Sequence, residues 1–166
     1  MLLLVIRHGI AVEPRSEDPE TDAMRELTKE GREKMRLGAK GLRREIDAPD
    51  VLASSPLVRA RQTAEIVADA YGGLDVVIAD ELTPSRPPAA LARWLTRQRE
   101  HERVAVVGHE PHLSSVVSWL LTGSDHPLLH LKKGAACLLE FTSDIGAGRA
   151  ALLWALRPGQ MRALAE

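Results

Sequence analysis

The sequence predicts an α/β fold: a three-layer α/β/α arrangement with a mostly parallel central sheet and an antiparallel hairpin at its C-terminal end. Three observations carry that expectation. Leu2–Ile6, Val51–Ser54 and Val104–Val107 are short runs dominated by apolar residues, the pattern of strands buried on both faces. Stretches with apolar residues three and four apart separate them, as helices packed on a sheet require. Two late apolar runs, Ala135–Phe141 and Ala150–Leu156, flank Asp144-Ile-Gly-Ala-Gly148 and read as a hairpin.

Each element follows in order. Leu2–Ile6 is the first strand, and the polar, Pro-containing stretch from Arg7 to about Leu27 reads as a loop. Thr28 is an N-cap for a helix with Met35, Ala39, Leu42 and Ile46 on one face. Asp47-Ala-Pro-Asp50 breaks it, and Val51–Ser54 is the second strand. Ser55-Pro56 reads as the N-cap and first-turn pair of a helix running to about Tyr71, stopped by Gly72-Gly73. Val76–Ala79 is a third strand, Pro84–Pro88 a rigid loop and Ala89–Arg99 a helix. Val104–Val107 is a fourth strand ending in Gly108-His109-Glu110-Pro111, followed by a short apolar helix over Leu113–Leu121. Nothing marks a linker or a repeat, so residues 1–166 are expected to form a single domain.

Charge and composition narrow the chemistry. Lys plus Arg number 22 and Asp plus Glu 23, a net charge of −1, so neither nucleic acid nor an anionic membrane is an expected partner. The apolar start lacks a basic leader and is cut by Arg7-His8, and no stretch approaches the ~20 apolar residues of a membrane span. The single Cys137 fits a reducing compartment. Together these make a cytoplasmic location the expectation.

Ligands of such sheets bind beyond the carboxyl ends of the strands, and three polar signals fall there. The first strand ends in Arg7-His8-Gly9, the second leads through Ser54-Ser55-Pro56-Leu57-Val58 to Arg59, and the fourth ends in Gly108-His109. Arg-His-Gly alone arises by chance in about 4 of 100 chains of this composition, so its place directly after the first strand adds weight. Two guanidinium groups, two imidazoles and a helix start suit a phosphoryl group. Arginine forks match phosphate oxygens, helix starts offer free N–H groups, and a neutral imidazole can attack phosphorus.

Arg7-His8-Gly9, then Ser55-Pro56-Leu57-x-Arg59-Ala60-x-Gln62-Thr63-Ala64, then Gly108-His109-x-Pro111-x-Leu113, resemble the histidine phosphatase, or phosphoglycerate mutase-like, superfamily. The short length, Arg25-x-Leu27-Thr28-x-x-Gly31 and Glu81-Leu82-Thr83-Pro84 are similar to its small, SixA-like phosphohistidine phosphatase branch. The resemblance implies a phosphoglycerate mutase-like fold and a phosphohistidine enzyme intermediate on His8. Arg7, Arg59 and His109 would complete the phosphate pocket, and Arg25 would stand at its rim. Gly9 would allow close backbone approach and, through its carbonyl, fix the His8 tautomer. No cofactor or metal is implied, and the expected partner is a protein bearing phosphohistidine. Larger relatives carry an acidic residue beyond the third strand that protonates an alcohol leaving group. Glu81 occupies that region here, with a plain strand-end residue as the simpler reading.

Rival chemistries find less support. Cys137 has no arginine six residues on and reads as a core thiol, and there is no P-loop. His109/His112 and His126/His130 are interrupted by Pro111 and Pro127 and have no supporting Cys or carboxylate framework. His101, His126 and His130 are expected on the surface, and Trp94, Trp119 and Trp154 in the core. A phosphomonoesterase for small metabolites and a catalytically silent phosphoprotein-binding module remain as alternatives.

Overall fold

The computed structural model describes residues 1–166. Its centre is a six-stranded sheet built from β1 (Leu2–Arg7), β2 (Val51–Ser54), β3 (Val76–Ile78), β4 (Arg103–Gly108), β5 (Ala136–Phe141) and β6 (Ala150–Leu156). The spatial order is β3-β2-β4-β1-β5-β6. The first four strands in that order pair in parallel, and β5 and β6 are antiparallel additions. This is the mixed α/β architecture that the alternating apolar pattern requires.

Helices cover both faces: α1 (Pro19–Ala23), α2 (Lys29–Leu42), α3 (Val58–Ala70), α4 (Pro88–Arg97), α5 (His112–Thr122) and α6 (Pro158–Ala163). Because side chains alternate along a strand, β1 sends Leu3 and Val5 into one core, with Leu91, Leu95, Leu113 and Val117 of α4 and α5. Leu4 and Ile6 enter the other, with Met35, Leu42, Ala64 and Val67 of α2 and α3 and Met161 of α6. The two strands at the centre, β1 and β4, are buried on both faces, as their unbroken apolar runs demand. No helix is long and apolar enough to cross a membrane.

Local signals explain most boundaries. Thr28 caps α2 by accepting the Gly31 N–H at 2.9 Å. Gly123, at φ 84°, ends α5 in a left-handed turn that a glycine adopts without strain. Three expectations need correction. The Arg7–Leu27 stretch is not all loop, because Asp18 caps α1 by accepting the Thr21 N–H at 2.9 Å, with Pro19 at the first helical position. Ser55 is not the N-cap of α3; Leu57 holds that place and Ser55 turns elsewhere. Trp94 is buried, but Trp119 and Trp154 are only partly so, since α5 and edge strand β6 each keep a face toward solvent. Helix α6 had no counterpart in the sequence reading, being short and carrying one buried apolar residue, Met161. Cys137 is buried, and His101, His126 and His130 are exposed, as expected.

The α2–α6 contact depends on glycine. A Cβ at Gly41 would run into the Met161 carbonyl oxygen, whereas one at Gly38 would only touch Met161 Cε at 3.6 Å. Gly38→Ala is therefore expected to be neutral or to stabilise by about 0.5–1 kcal/mol, the usual helix-interior gain. Gly41→Ala should cost about 1–3 kcal/mol through displacement of α6. Urea midpoints of the two variants would check this, and equal midpoints would refute the close contact.

Candidate active site

The sheet register builds the site. Arg7 of β1 pairs with Gly108 of β4, and Ser54 of β2 pairs with Val107. The next residues, His8, His109 and Ser55, therefore leave three adjacent strands side by side. Backbone hydrogen bonds extend the ladder by one step, from the His8 N–H to Gly108 O and from the Ser55 N–H to Val107 O, both 3.0 Å. The chain then turns to α2 on one face after β1 and to α5 on the other after β4. This divergence opens a crevice at the carboxyl edge. The His8 and His109 ring centroids stand 5.1 Å apart in it.

The carbonyl of Gly9 fixes His8. It lies 2.7 Å from Nδ1, and since a carbonyl only accepts, Nδ1 carries the proton and Nε2 keeps its lone pair. Gly9 is in turn held by its N–H to Thr63 Oγ1 at 3.0 Å. Thr63 Oγ1 donates to Arg59 O at 2.7 Å, tying the His8 turn to the first turn of α3. A Cβ on Gly9 would meet Met35 Cγ at 2.7 Å, so a larger residue there would force the Met35 side chain to shift.

Three arginines converge on this turn. Arg7 donates through one terminal nitrogen to Leu131 O at 2.7 Å. Arg59, 5% exposed, donates to Asp22 O at 2.8 Å and to Asp22 Oδ2 at 3.0 Å. Arg25 reaches Asp22 Oδ1 at 2.8 Å and Val12 O at 2.9 Å. The segment after His8 thus folds back over Arg59 through α1, and Asp22 bridges two of the expected residues. Burial would raise the Asp22 carboxyl, but Arg25 and Arg59 outweigh it and hold it below the ordinary carboxylate range.

The electrostatics are those of a neutral pair among cations. Burial is the main force lowering His8 to about 4; the Gly9 hydrogen bond opposes it, and the charges of Arg59, Arg7 and Arg25 add to it. His109 falls to about 2, again chiefly by burial, then by the proximity of His8 and Arg59. Arg7 Nε, Arg59 Nε and His109 Nδ1 are all buried without a hydrogen-bond partner. Buried polar groups are nearly always paired, so these three orphaned nitrogens on residues around His8 have donor capacity left for an anion.

His8, Arg7, Arg59, His109, Gly9 and Arg25 are thus gathered at one edge. Glu81 is not among them: it pairs with Arg97 at 2.9 Å on the surface. The sequence reading missed four contributors: Asp22, Ser55, whose Oγ lies 2.8 Å from His109 Nε2, Thr63 and the Leu131 carbonyl. Asp18-Pro19 was a visible helix start that would have drawn attention to Asp22; nothing local marks Leu131. Glu110 was also passed over. It accepts from the Ser114 hydroxyl through Oε2, leaves Oε1 unpartnered, and lies near enough to Arg7 to favour its charged form. No group of three or more His, Cys, Asp or Glu is placed to hold a metal ion.

Residues 3–84 match the model of the Histidine phosphatase superfamily (branch 1). An uncharacterized protein of Picosynechococcus sp. is 34% identical over 135 residues, 80% of this chain and 81% of that protein. The protein histidine phosphatase SixA, solved with tungstate, matches at TM-score 0.81 and 25% identity over 96% of this chain and 98% of its own. This chain belongs to the histidine phosphatase superfamily, in its SixA-like branch. The α-ribazole phosphatase of Shigella flexneri has the same histidine phosphatase fold, at TM-score 0.73 and 17% identity over 95% of this chain and 97% of its own.

The histidine phosphatase pocket carries a pH signature. In the unfolded chain both imidazoles titrate near 6.5, while the folded chain holds them neutral to about 4 for His8 and about 2 for His109. Below pH 6.5 the unfolded state binds more protons, so stability falls as pH drops; the loss levels off near the folded value of each histidine. Between pH 7 and 5 it should be on the order of 2 kcal/mol per histidine. Urea unfolding at the two pH values should show a loss smaller by about that amount in His109→Gln than in the wild type. An unchanged pH slope in the variant would contradict the buried neutral imidazole.

Proposed function

We propose that this histidine phosphatase is a metal-independent phosphohistidine phosphatase working through a phosphohistidine intermediate on His8. The observation that carries the proposal is the trio of orphaned nitrogens, Arg7 Nε, Arg59 Nε and His109 Nδ1, gathered around an imidazole whose Nε2 lone pair is free. The protein histidine phosphatase SixA, to which this chain is similar, was solved in complex with the oxyanion tungstate, which supports an oxyanion ligand for this fold.

In the proposed reaction, His8 Nε2 attacks phosphorus as the bond to the substrate nitrogen breaks. The Nδ1–H held by Gly9 O favours the charge that develops on the ring. Arg7 and Arg59 hold equatorial oxygens through their Nε groups, so Arg59 can keep its terminal nitrogens on Asp22. Ser55 donating to His109 Nε2 leaves the proton on Nδ1, aimed at a third oxygen; the arriving dianion raises the His109 pKa toward its ordinary value. Water then attacks the phosphoenzyme, the P–Nε2 bond breaks, and phosphate leaves.

The substrate class follows from the leaving group. Glu81 is committed to Arg97 on the surface, so it is not free to serve as the acid that larger relatives supply from this region. An imidazole protonated on its distal nitrogen leaves without such help; an alkoxide does not. One observation favours a second reading, hydrolysis of small phosphomonoesters: Glu110, a carboxyl group near Arg7, keeps its Oε1 uncommitted.

His8→Ala should abolish turnover with the fold intact, and Arg7→Ala or Arg59→Ala should each lower the rate by about 10²-fold or more. Arg61, exposed on the far side of α3, should be nearly neutral when changed to Ala. A purified phosphohistidine protein should be preferred over sugar phosphates by at least roughly tenfold in kcat/KM. Vanadate or tungstate should inhibit, and chelators should not. A chelator-inactivated enzyme restored by a divalent ion, or micromolar KM for one sugar phosphate with no action on phosphohistidine, would reject the proposal.

A further inference from the structure

A second feature adjoins the proposed phosphate pocket without being part of it. A cleft of about 720 Å³ runs from Arg7 and Gly9 between α2, the turn before β5 and α6. Its 15 lining residues include Lys34, Lys132, Lys133, Arg157 and Arg162 beside Arg7, and no Asp or Glu. In a chain of net charge −1, such a one-signed cluster concentrates potential at a single place. Lys34 is paired with Glu30, but Lys132, Lys133, Arg157 and Arg162 make no ion pair. Nothing in the phosphoryl chemistry proposed above uses these four residues.

We infer that this cleft is a docking groove for an acidic polypeptide segment flanking the phosphorylated residue of the substrate protein. The inference rests on the phosphohistidine phosphatase reading and adds to it where the substrate is held. Three features select this occupant. The near end is shared with Arg7 and Gly9, so a chain with its phosphate at His8 can continue into the cleft. The cations come from three separate segments lining the cleft, with Lys132, Lys133 and Arg157 exposed; this suits carboxylates strung along a chain better than one compact phosphate. No aromatic side chain lines the cleft, which removes the stacking surface that single-stranded nucleic acid uses. Charge complementarity of this kind accelerates encounter and fixes orientation more than it adds raw affinity.

The test uses two phosphohistidine peptides of equal length, one with Glu and Asp flanking the phosphohistidine and one with Gln and Asn there. The wild-type enzyme should prefer the acidic peptide by about tenfold in kcat/KM, mostly through KM, and the preference should collapse in about 1 M salt. The quadruple variant Lys132→Gln, Lys133→Gln, Arg157→Gln, Arg162→Gln should lose that preference yet keep wild-type kcat/KM on the neutral peptide and on a chromogenic phosphate ester. Equal rates on both peptides in the wild type, or a preference kept by the variant, would overturn the inference. Fluorescence anisotropy with the unphosphorylated acidic peptide separates the two proposals. If neither phosphopeptide is hydrolysed, the substrate reading fails, but salt-sensitive binding to wild type and not to the variant still upholds the groove. Absence of that binding overturns the groove too.

Discussion

The parallel pairing of β1 with β4, in the register that sets Arg7 opposite Gly108, is the constraint on which the rest depends. A shift of one residue would turn every side chain of β1 to the other face, exchanging Leu4 and Ile6 with Leu3 and Val5 between two differently shaped cores. It would also carry His8 away from His109. Core packing and site geometry are thus specified by the same ladder, and the four arginines and histidines need no separate scaffold. The helices after β1 and β4 leave on opposite faces, so the crevice is a consequence of topology rather than of an inserted loop.

Within that crevice, burial and charge act against each other. Desolvation alone would make the site hostile to any ion: it lowers both imidazoles and the guanidinium groups of Arg7 and Arg59. The arginines stay charged because a guanidinium group keeps its proton at any working pH, and oxygens of Leu131 and Asp22 accept from their terminal nitrogens, while the histidines, with no acid beside their rings, give up their protons. The outcome is a neutral imidazole among fixed cations, the state that the proposed attack on a phosphate dianion needs. Asp22 offsets Arg59 and Arg25 while leaving Arg59 Nε uncommitted. It balances the charge of the site without filling it.

What could be read from the sequence was what is contiguous in it. Leu2–Ile6 and Val104–Val107 announce buried strands by composition alone, and the residues just past them fall at the carboxyl edge by topology. His8, Arg59 and His109 could therefore be brought together before any coordinates. The partners that hold them were less visible because each is a tertiary event. Asp22 matters only when α1 folds onto α3, and Ser55 had two competing uses. As an N-cap its hydroxyl would satisfy α3; in the structure it faces His109, and Leu57 takes the cap position with no side-chain bond. A local rule gave way there to the demand of a buried imidazole, a kind of misreading that a functional site invites.

The basic cleft follows from a similar logic on a larger scale. Lys34, Lys132, Lys133, Arg157 and Arg162 come from three distant parts of the chain, and each alone is an ordinary surface residue. The antiparallel addition of β5 to β1 places the Lys132-Lys133 turn beside the end of the first strand, where the Gly134 N–H reaches Arg7 O at 3.2 Å and His8 O at 3.0 Å. Helix α6 then closes on α2 through Met161 and the space left by Gly41, bringing Arg157 and Arg162 to the same cleft. The C-terminal third of the chain, which lies beyond the matched family segment of residues 3–84, thus shapes the ground next to a pocket whose Arg7, His8 and Arg59 lie within that segment.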